Sequence, residues 1–160
     1  MNSSSLKSVL FVCLGNICRS PTGEGVLLHL VDEQDLNDRI KVDSAGTGGY
    51  HIGARADSRM RDHALRRGYD LQSRARKLAP SDMETFDLVI AMDRENYRDI
   101  QHVNEQPTAE LKMLSDFLGD DWPSDVPDPY YGGADGFEYV MDMIEAACPK
   151  IIEHLISDQG

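Results

Sequence analysis

The chain has 160 residues, of which 41% are hydrophobic, and its formal net charge is −12. This length and composition are typical of one globular domain with its own core, so we expect residues 1–160 to form a single domain, with residues 1–6 flexible. The charge argues against nucleic acid and anionic membrane surfaces as partners. No apolar run approaches the roughly 20 residues needed to cross a bilayer. The polar segment 1–7 does not resemble a signal peptide, so we expect the cytosol.

Four short segments are predicted as strands, of which the first and third are apolar runs typical of buried strands, and each is followed along the chain by a segment typical of a helix. Pro21 is suited to the first turn of the first helix. Asp57 or Ser58 can cap the second helix, which should stop at Gly68, and Asp93 can cap the third. The predicted strands are Ser8–Cys13, Ile40–Ser44, Asp87–Met92 and Leu111–Leu114.

Apolar residues recur at helical spacing from Phe137 to Leu155, which predicts a fourth helix that Pro149 should kink or split. The alternation of strands and helices predicts a four-stranded parallel sheet with helices on both faces, a three-layer α/β sandwich. In such sheets, ligands bind beyond the carboxyl ends of the strands. The segment 119–136 is rich in Asp, Pro and Gly, and a loop of this length is often functional.

The loop that follows the first strand is the clearest candidate site. Gly15 and Asn16 tolerate left-handed backbone, so the N–H groups of this loop can converge on one anion beside the positive end of the helix. Arg19 adds a planar fork suited to two phosphate oxygens. Cys13 lies where the thiolate, the nucleophilic form, is favoured, and Ser20 can donate a hydrogen bond to it. The sequence therefore predicts a phosphate-binding loop that holds a nucleophile.

A leaving phenolate or alkoxide needs a proton, and Asp128 is the best candidate acid. The two prolines that flank it stiffen its backbone. Its carboxylate can later deprotonate the water that hydrolyses a phosphocysteine. Tyr130 and Tyr131 are suited to hold a substrate ring. Asp93 is most simply a helix cap, but its position at a strand's carboxyl end also places it near the site.

Two motifs of this chain, Cys13-x5-Arg19-Ser20-Pro21 and Asp128-Pro129-Tyr130-Tyr131, resemble those of the low-molecular-weight protein tyrosine phosphatases. The stretches 43–47 and 91–93 extend the resemblance over nearly the whole chain. The resemblance implies hydrolysis of phosphotyrosine in a protein or peptide through a phosphocysteine, with inorganic phosphate as product. We expect no metal or other cofactor, and a monomer or weak dimer.

The resemblance also implies a role for each matching residue. Cys13 matches the nucleophile, Arg19 the phosphate clamp that stabilises the transition state, and Asp128 the general acid and base. Asn16 matches a residue that holds the loop geometry, and Ser20 one that stabilises the thiolate. The residues expected to line the phosphate and substrate site are Leu14, Gly15, Ile17, Cys18, Tyr50, Asp93, Tyr130 and Tyr131.

Cys18 matches a second cysteine of the family, which forms a reversible disulfide with the nucleophile under oxidation. The chain departs from the family pattern elsewhere. Tyr50 stands where many members have Trp, and Ser73 where many have His. Gly23 and Gly25 occupy the first helix, at a cost of about 1 kcal/mol each in helix propensity. These differences bear on loop rigidity and substrate range rather than on the chemistry.

Other activities fit parts of the pattern. Protein arginine phosphatases are similar in fold, but members resembling that branch carry Thr at the position of Ile17, where a branched apolar residue suits an aromatic substrate better. Arsenate reductases have a similar loop, but they use further cysteines in the middle of the chain. This sequence has no cysteine between Cys18 and Cys148. Phosphocysteine carriers of sugar phosphotransfer systems lack counterparts of Arg19 and Asp128. A phosphopeptide-binding module would not need a nucleophile and an acid together.

Overall fold

The computed structural model describes residues 6–129 and 134–157. The strands are β1 (Lys7–Cys13), β2 (Ile40–Gly46), β3 (Leu88–Ala91) and β4 (Glu110–Met113). The helices are α1 (Arg19–Glu33), α2 (Ser58–Arg66), α3 (Asp82–Thr85), α4 (Arg94–Gln101) and α5 (Ala134–Ser157), with a 3-10 turn at Leu114–Phe117. Of the helices in these two ranges, none is long and apolar enough to cross a membrane.

The four strands form one parallel sheet in the order β2-β1-β3-β4, which confirms the predicted fold class. Alternate residues of β1 face opposite layers. Phe11 belongs to the larger core, formed with α1 and α5, whereas Leu10 packs in a second core with residues of α3 and α4. Because helices cover both faces, the strand reads as an unbroken apolar run, and its last residue, Cys13, lies at the carboxyl edge of the sheet.

In the second half of the chain one strand boundary was wrong, and one of the two effects expected of Pro149 does not occur. Leu114 does not end β4 but begins the 3-10 turn. Pro149 does not split the last helix, because α5 is a single element through Ser157. The neighbouring residues Cys148, Ile151 and Ile152 are buried, and their tertiary packing offsets the roughly 3 kcal/mol that a proline costs inside a helix.

The two glycines of α1 allow this helix to lie close to its neighbours. A Cβ atom at Gly23 would come within 2.7 Å of Cδ1 of Phe11, in the middle of β1. A Cβ atom at Gly25 would overlap Cδ2 of Leu71, which follows α2. The helix-propensity cost of these glycines is therefore offset by close packing, which fixes α1 and the loop that precedes it against the sheet.

Candidate active site

The loop between β1 and α1 is built around Asn16. Its backbone has a φ of +59°, in the left-handed region that the sequence predicted. Its side chain is buried and makes three hydrogen bonds. Nδ2 donates to Oγ of Ser20 at 2.8 Å and to Oγ of Ser44 at 3.0 Å, while Oδ1 accepts from the backbone N–H of Arg76 at 2.9 Å. This one amide thus ties the loop to α1, to β2 and to the segment after α2.

Behind Asn16 the network continues to the half-buried carboxyl group of Glu24. Ser44 donates from Oγ to Oε1 of Glu24 at 2.6 Å, and Ser73 also hydrogen-bonds Glu24. Burial raises the pKa of Glu24, because the charged carboxylate is poorly solvated there. Ser73 is therefore part of the loop's support through Glu24.

Cys13 lies at the floor of the site with its thiol buried. Its Sγ atom is 3.1 Å from Oγ of Ser20, within the range of a hydrogen bond that involves sulfur. Cys18 is also buried and forms no disulfide. Burial raises the pKa of Cys18, with further contributions from the negative charges of Asp57 and Cys13. The Cys18 thiol is therefore protonated at neutral pH, and in this form it is a poor nucleophile.

Arg19 crosses the site with its guanidinium almost fully buried. Nη1 donates to Oδ2 of Asp93 at 2.7 Å and to the carbonyl oxygen of Val126 at 2.9 Å. Nη2 lies 3.7 Å from Oδ2 of Asp128, and Nε has no hydrogen-bond acceptor within residues 6–129 and 134–157. Burial alone would lower the pKa of Arg19, but the negative charges of Cys13 and Asp93 raise it overall. Nη1 thus fixes the guanidinium, and the edge formed by Nε and Nη2 remains able to bind an anion.

Asp93 has two functions in this arrangement. Its Oδ1 accepts from the backbone N–H of Asn96 at 2.7 Å and so caps α4, as the sequence predicted. Its Oδ2 accepts from Arg19. The loop that carries Asp128 is tied to the same place, because the N–H of Val126 donates to the carbonyl of Met92 at 2.9 Å. The carboxyl end of β3 therefore positions both the arginine and the loop.

These side chains meet at a cavity of about 440 Å³. Asn16 and Ser20 lie behind its wall and Asp93 contacts Arg19, while Tyr130 and Tyr131 lie outside the described residues. Of the residues predicted from sequence, those that line the cavity are Cys13, Leu14, Gly15, Ile17, Cys18, Arg19, Tyr50 and Asp128.

His51 also lines the cavity and was not predicted. A Cβ atom at Gly15 would come within 3.1 Å of Cδ2 of His51, so the imidazole packs on the loop. Its place beside Tyr50 was the only signal in the sequence. Tyr50 itself is 75% exposed and forms the outer rim. The cavity thus combines a thiol at the floor, a cationic edge, a carboxyl group at one side and aromatic rings at the mouth.

Comparisons with known proteins match this chain to one family of phosphatases. The family model for low molecular weight phosphotyrosine protein phosphatase matches residues 8–159. The low molecular weight protein-tyrosine-phosphatase YfkJ of Bacillus subtilis is 40% identical over 147 residues, which cover 91% of this chain and 93% of YfkJ.

Two solved structures of phosphatases with different named activities also match this chain. The crystal structure of protein tyrosine phosphatase from Entamoeba histolytica superposes with a TM-score of 0.91 at 41% identity and covers 96% of this chain and 99% of that one. A Drosophila arginine phosphatase superposes with a TM-score of 0.85 at 30% identity, covering 91% and 96%. The TM-score and the sequence identity are both lower for the arginine phosphatase than for the tyrosine phosphatase.

Proposed function

The chain belongs to the low-molecular-weight phosphotyrosine protein phosphatase family, and from this premise we propose that it hydrolyses phosphotyrosine in proteins or peptides through a phosphocysteine at Cys13. The single observation that carries the assignment of roles is the hydrogen bonding of the Arg19 guanidinium. Its Nη1 is engaged by Asp93 and Val126, whereas its buried Nε lacks an acceptor among the described residues. A buried N–H without a partner costs about 1–3 kcal/mol, and the equatorial oxygens of a phosphoryl group over Cys13 would satisfy it.

In the first step the Cys13 thiolate attacks phosphorus, and the bond from phosphorus to the phenolic oxygen breaks. The leaving phenolate takes a proton from the Asp128 carboxyl, which lies beside the same guanidinium edge at 3.7 Å. Arg19 and the loop N–H groups balance the charge on the equatorial oxygens. Ser20, at 3.1 Å from Sγ, stabilises the thiolate before attack and when it leaves.

In the second step the Asp128 carboxylate accepts a proton from a water molecule, and the resulting hydroxide attacks the phosphocysteine. The phosphorus–sulfur bond breaks, the electron pair returns to Cys13 as thiolate, and inorganic phosphate leaves. Asp128 is again protonated, so the cycle closes without another reactant. The hydrogen-bond network from Asn16 to Glu24 keeps the loop in one conformation through both steps.

Leaving-group dependence provides the sharpest test of these roles. Cys13→Ser should abolish turnover of p-nitrophenyl phosphate while the protein still binds inorganic phosphate, and retained turnover would contradict the nucleophile. Asp128→Ala should lower kcat by about 10²–10⁴ for phenyl phosphate, whose leaving group is the more basic, and by less for p-nitrophenyl phosphate. Asp125→Ala, which removes another carboxyl group from the same loop, is the matched control. Equal losses with both substrates would refute Asp128 as the acid.

For substrate class, we propose phosphotyrosine rather than phosphoarginine. Ile17 and the exposed ring of Tyr50 line the cavity with apolar surface suited to an aryl group. The experiment compares kcat/KM for phosphotyrosine and phosphoarginine in the same peptide sequence. Faster dephosphorylation of arginine would reverse this part of the proposal. We further propose that the protein acts in the cytosol as a monomer or weak dimer, and sedimentation over a range of concentrations tests its association state.

A further inference from the structure

The basic residues of this acidic protein are concentrated in one segment. Residues 55–77 contain eight of the sixteen Arg and Lys residues, against three Asp and no Glu. Several of these cations have carboxylate partners. Arg59 pairs with Asp57, Arg76 with Asp43 and Asp82, and Arg67 with Glu138, Asp142 and Glu145. By contrast, Arg55, Arg74 and Lys77 are exposed and form no ion pair with any residue in 6–129 or 134–157.

Arg55 and Arg74 are direct neighbours across a short antiparallel bridge. Two backbone hydrogen bonds of 2.8 Å frame it, from Ala75 to Ala54 and from Gly53 to Ala75. Like charges directly opposite each other destabilise such a pair. In a chain with 28 acidic residues, two opposed arginines without a carboxylate partner among the described residues are not explained by the fold. The placement of these two arginines therefore needs an explanation other than stability of the fold.

The position of these residues relative to the cavity suggests that reason. Arg74 donates from Nη1 to the carbonyl of Gly53 at 3.3 Å, which holds its guanidinium beside the loop that carries Tyr50 and His51. Lys77 is paired with Gly46 in a parallel bridge, and a Cβ atom at Gly49 would lie 3.7 Å from its Cδ. Arg55, Arg74 and Lys77, here called the basic rim, thus follow the loop of residues 46–53, whose Tyr50 and His51 line the cavity.

We propose that the basic rim binds acidic side chains that flank the phosphotyrosine of a protein substrate. This inference rests on the proposed function and adds a substrate preference to it. A residue in an extended peptide advances about 3.3 Å, so residues within a few positions of the phosphotyrosine can reach long arginine and lysine side chains. The Debye length at 0.1 M salt is about 10 Å, so repulsion from the distant acidic surface is screened while contacts at the rim are not.

The test uses three phosphotyrosine peptides that differ only in flanking residues: glutamates before the phosphotyrosine, glutamates after it, or glutamines on both sides. The full-length protein should show a kcat/KM about fivefold higher for at least one glutamate peptide, the size expected from two exposed charge pairs. In the double variant R55Q/R74Q this preference should disappear, mainly through KM. Turnover of p-nitrophenyl phosphate, which has no flanking residues, should change less than twofold.

The control variant R98Q/K150Q removes the same charge from exposed positions on α4 and α5 and should keep the peptide preference. Equal rates for all three peptides, or a preference that survives in R55Q/R74Q, would overturn the proposal. Loss of p-nitrophenyl phosphate turnover in R55Q/R74Q would also overturn it, because this result would show that the basic rim is needed for the folded structure. A rim-dependent inhibition by single-stranded RNA stronger than that by the glutamate peptides would assign the rim to nucleic acid instead. Failure of the proposed function would appear separately, as turnover that survives Cys13→Ser.

Discussion

The close approach of α1 to β1 makes Gly23→Ala an informative substitution. In the helix interior, alanine is favoured over glycine by about 1 kcal/mol, so propensity alone predicts stabilisation. The new methyl carbon, however, would come within 2.7 Å of Cδ1, 2.9 Å of Cγ and 3.0 Å of Cε1 of Phe11. Phe11 is fully buried in the central strand, and its ring is rigid, so either the ring or the helix must move.

The magnitude follows from these opposing effects. Overpacking in a buried core costs about 1–3 kcal/mol, and the contact along one whole edge of the ring places Gly23→Ala in the upper part of that range. After subtraction of the propensity gain of about 1 kcal/mol, we expect a net loss of about 1–2 kcal/mol in the free energy of unfolding. For a chain of this size, each kcal/mol lowers Tm by about 2–4 °C.

Urea unfolding followed by circular dichroism measures this difference, with Gly25→Ala as the matched control in the same helix. At Gly25 the added methyl group meets only the terminal Cδ2 of Leu71, a flexible side-chain end, so we expect a smaller loss than at Gly23. A Gly23→Ala protein at least as stable as the wild type, or less stable only when Gly25 is also replaced, would refute the packing argument for α1.

Three further predictions concern charge. Asp93→Asn keeps a good N-cap on α4 but removes the charge that orients Arg19, so kcat/KM for p-nitrophenyl phosphate should fall about tenfold, or 1.4 kcal/mol; unchanged kinetics would contradict this role. Because the pKa of Glu24 is raised in the folded state, its contribution to stability is present at low pH and lost as pH rises, so the Tm of Glu24→Gln relative to wild type should increase from pH 4 to pH 8. Arg74→Gln should raise Tm by about 1–3 °C because it relieves the charge opposed to Arg55, and calorimetry that shows a lower Tm would exclude this.

The sequence was sufficient to predict the sheet and the place of the site. Apolar runs identified β1 and β3, and the carboxyl-edge rule placed Cys13 and Asp93 at the same edge. Pattern reasoning missed α3, because a helix of four residues has no periodicity to detect. Its Asp82 accepts hydrogen bonds from Arg76 and from the N–H of Ala79, both of which precede the helix.

The detail of the site depended on tertiary contacts that no local pattern contains. Asp93 was predicted as a cap, but the division of its two oxygens between Asn96 and Arg19 depends on the N-terminus of α4 meeting Arg19 at the carboxyl edge of the sheet. Similarly, the bridge between Arg55 and Arg74 joins residues 19 positions apart in irregular backbone. Short isolated pairings of this kind are set by the loops around them, so their charge pattern could not be interpreted from the sequence alone.

The hydrogen bond from Arg19 to the carbonyl of Val126 has a consequence for how the substrate loop can vary. A main-chain acceptor is present whatever side chain stands at position 126. Point substitutions there therefore leave the hydrogen bond from Arg19 in place, provided that they fit a buried site. Insertions or deletions between residues 126 and 128, in contrast, would change the distance from this hydrogen bond to the carboxyl group of Asp128. Loop grafting from relatives with other substrate ranges should therefore start after Asp128, and designs of this kind can redirect specificity without rebuilding the phosphate clamp.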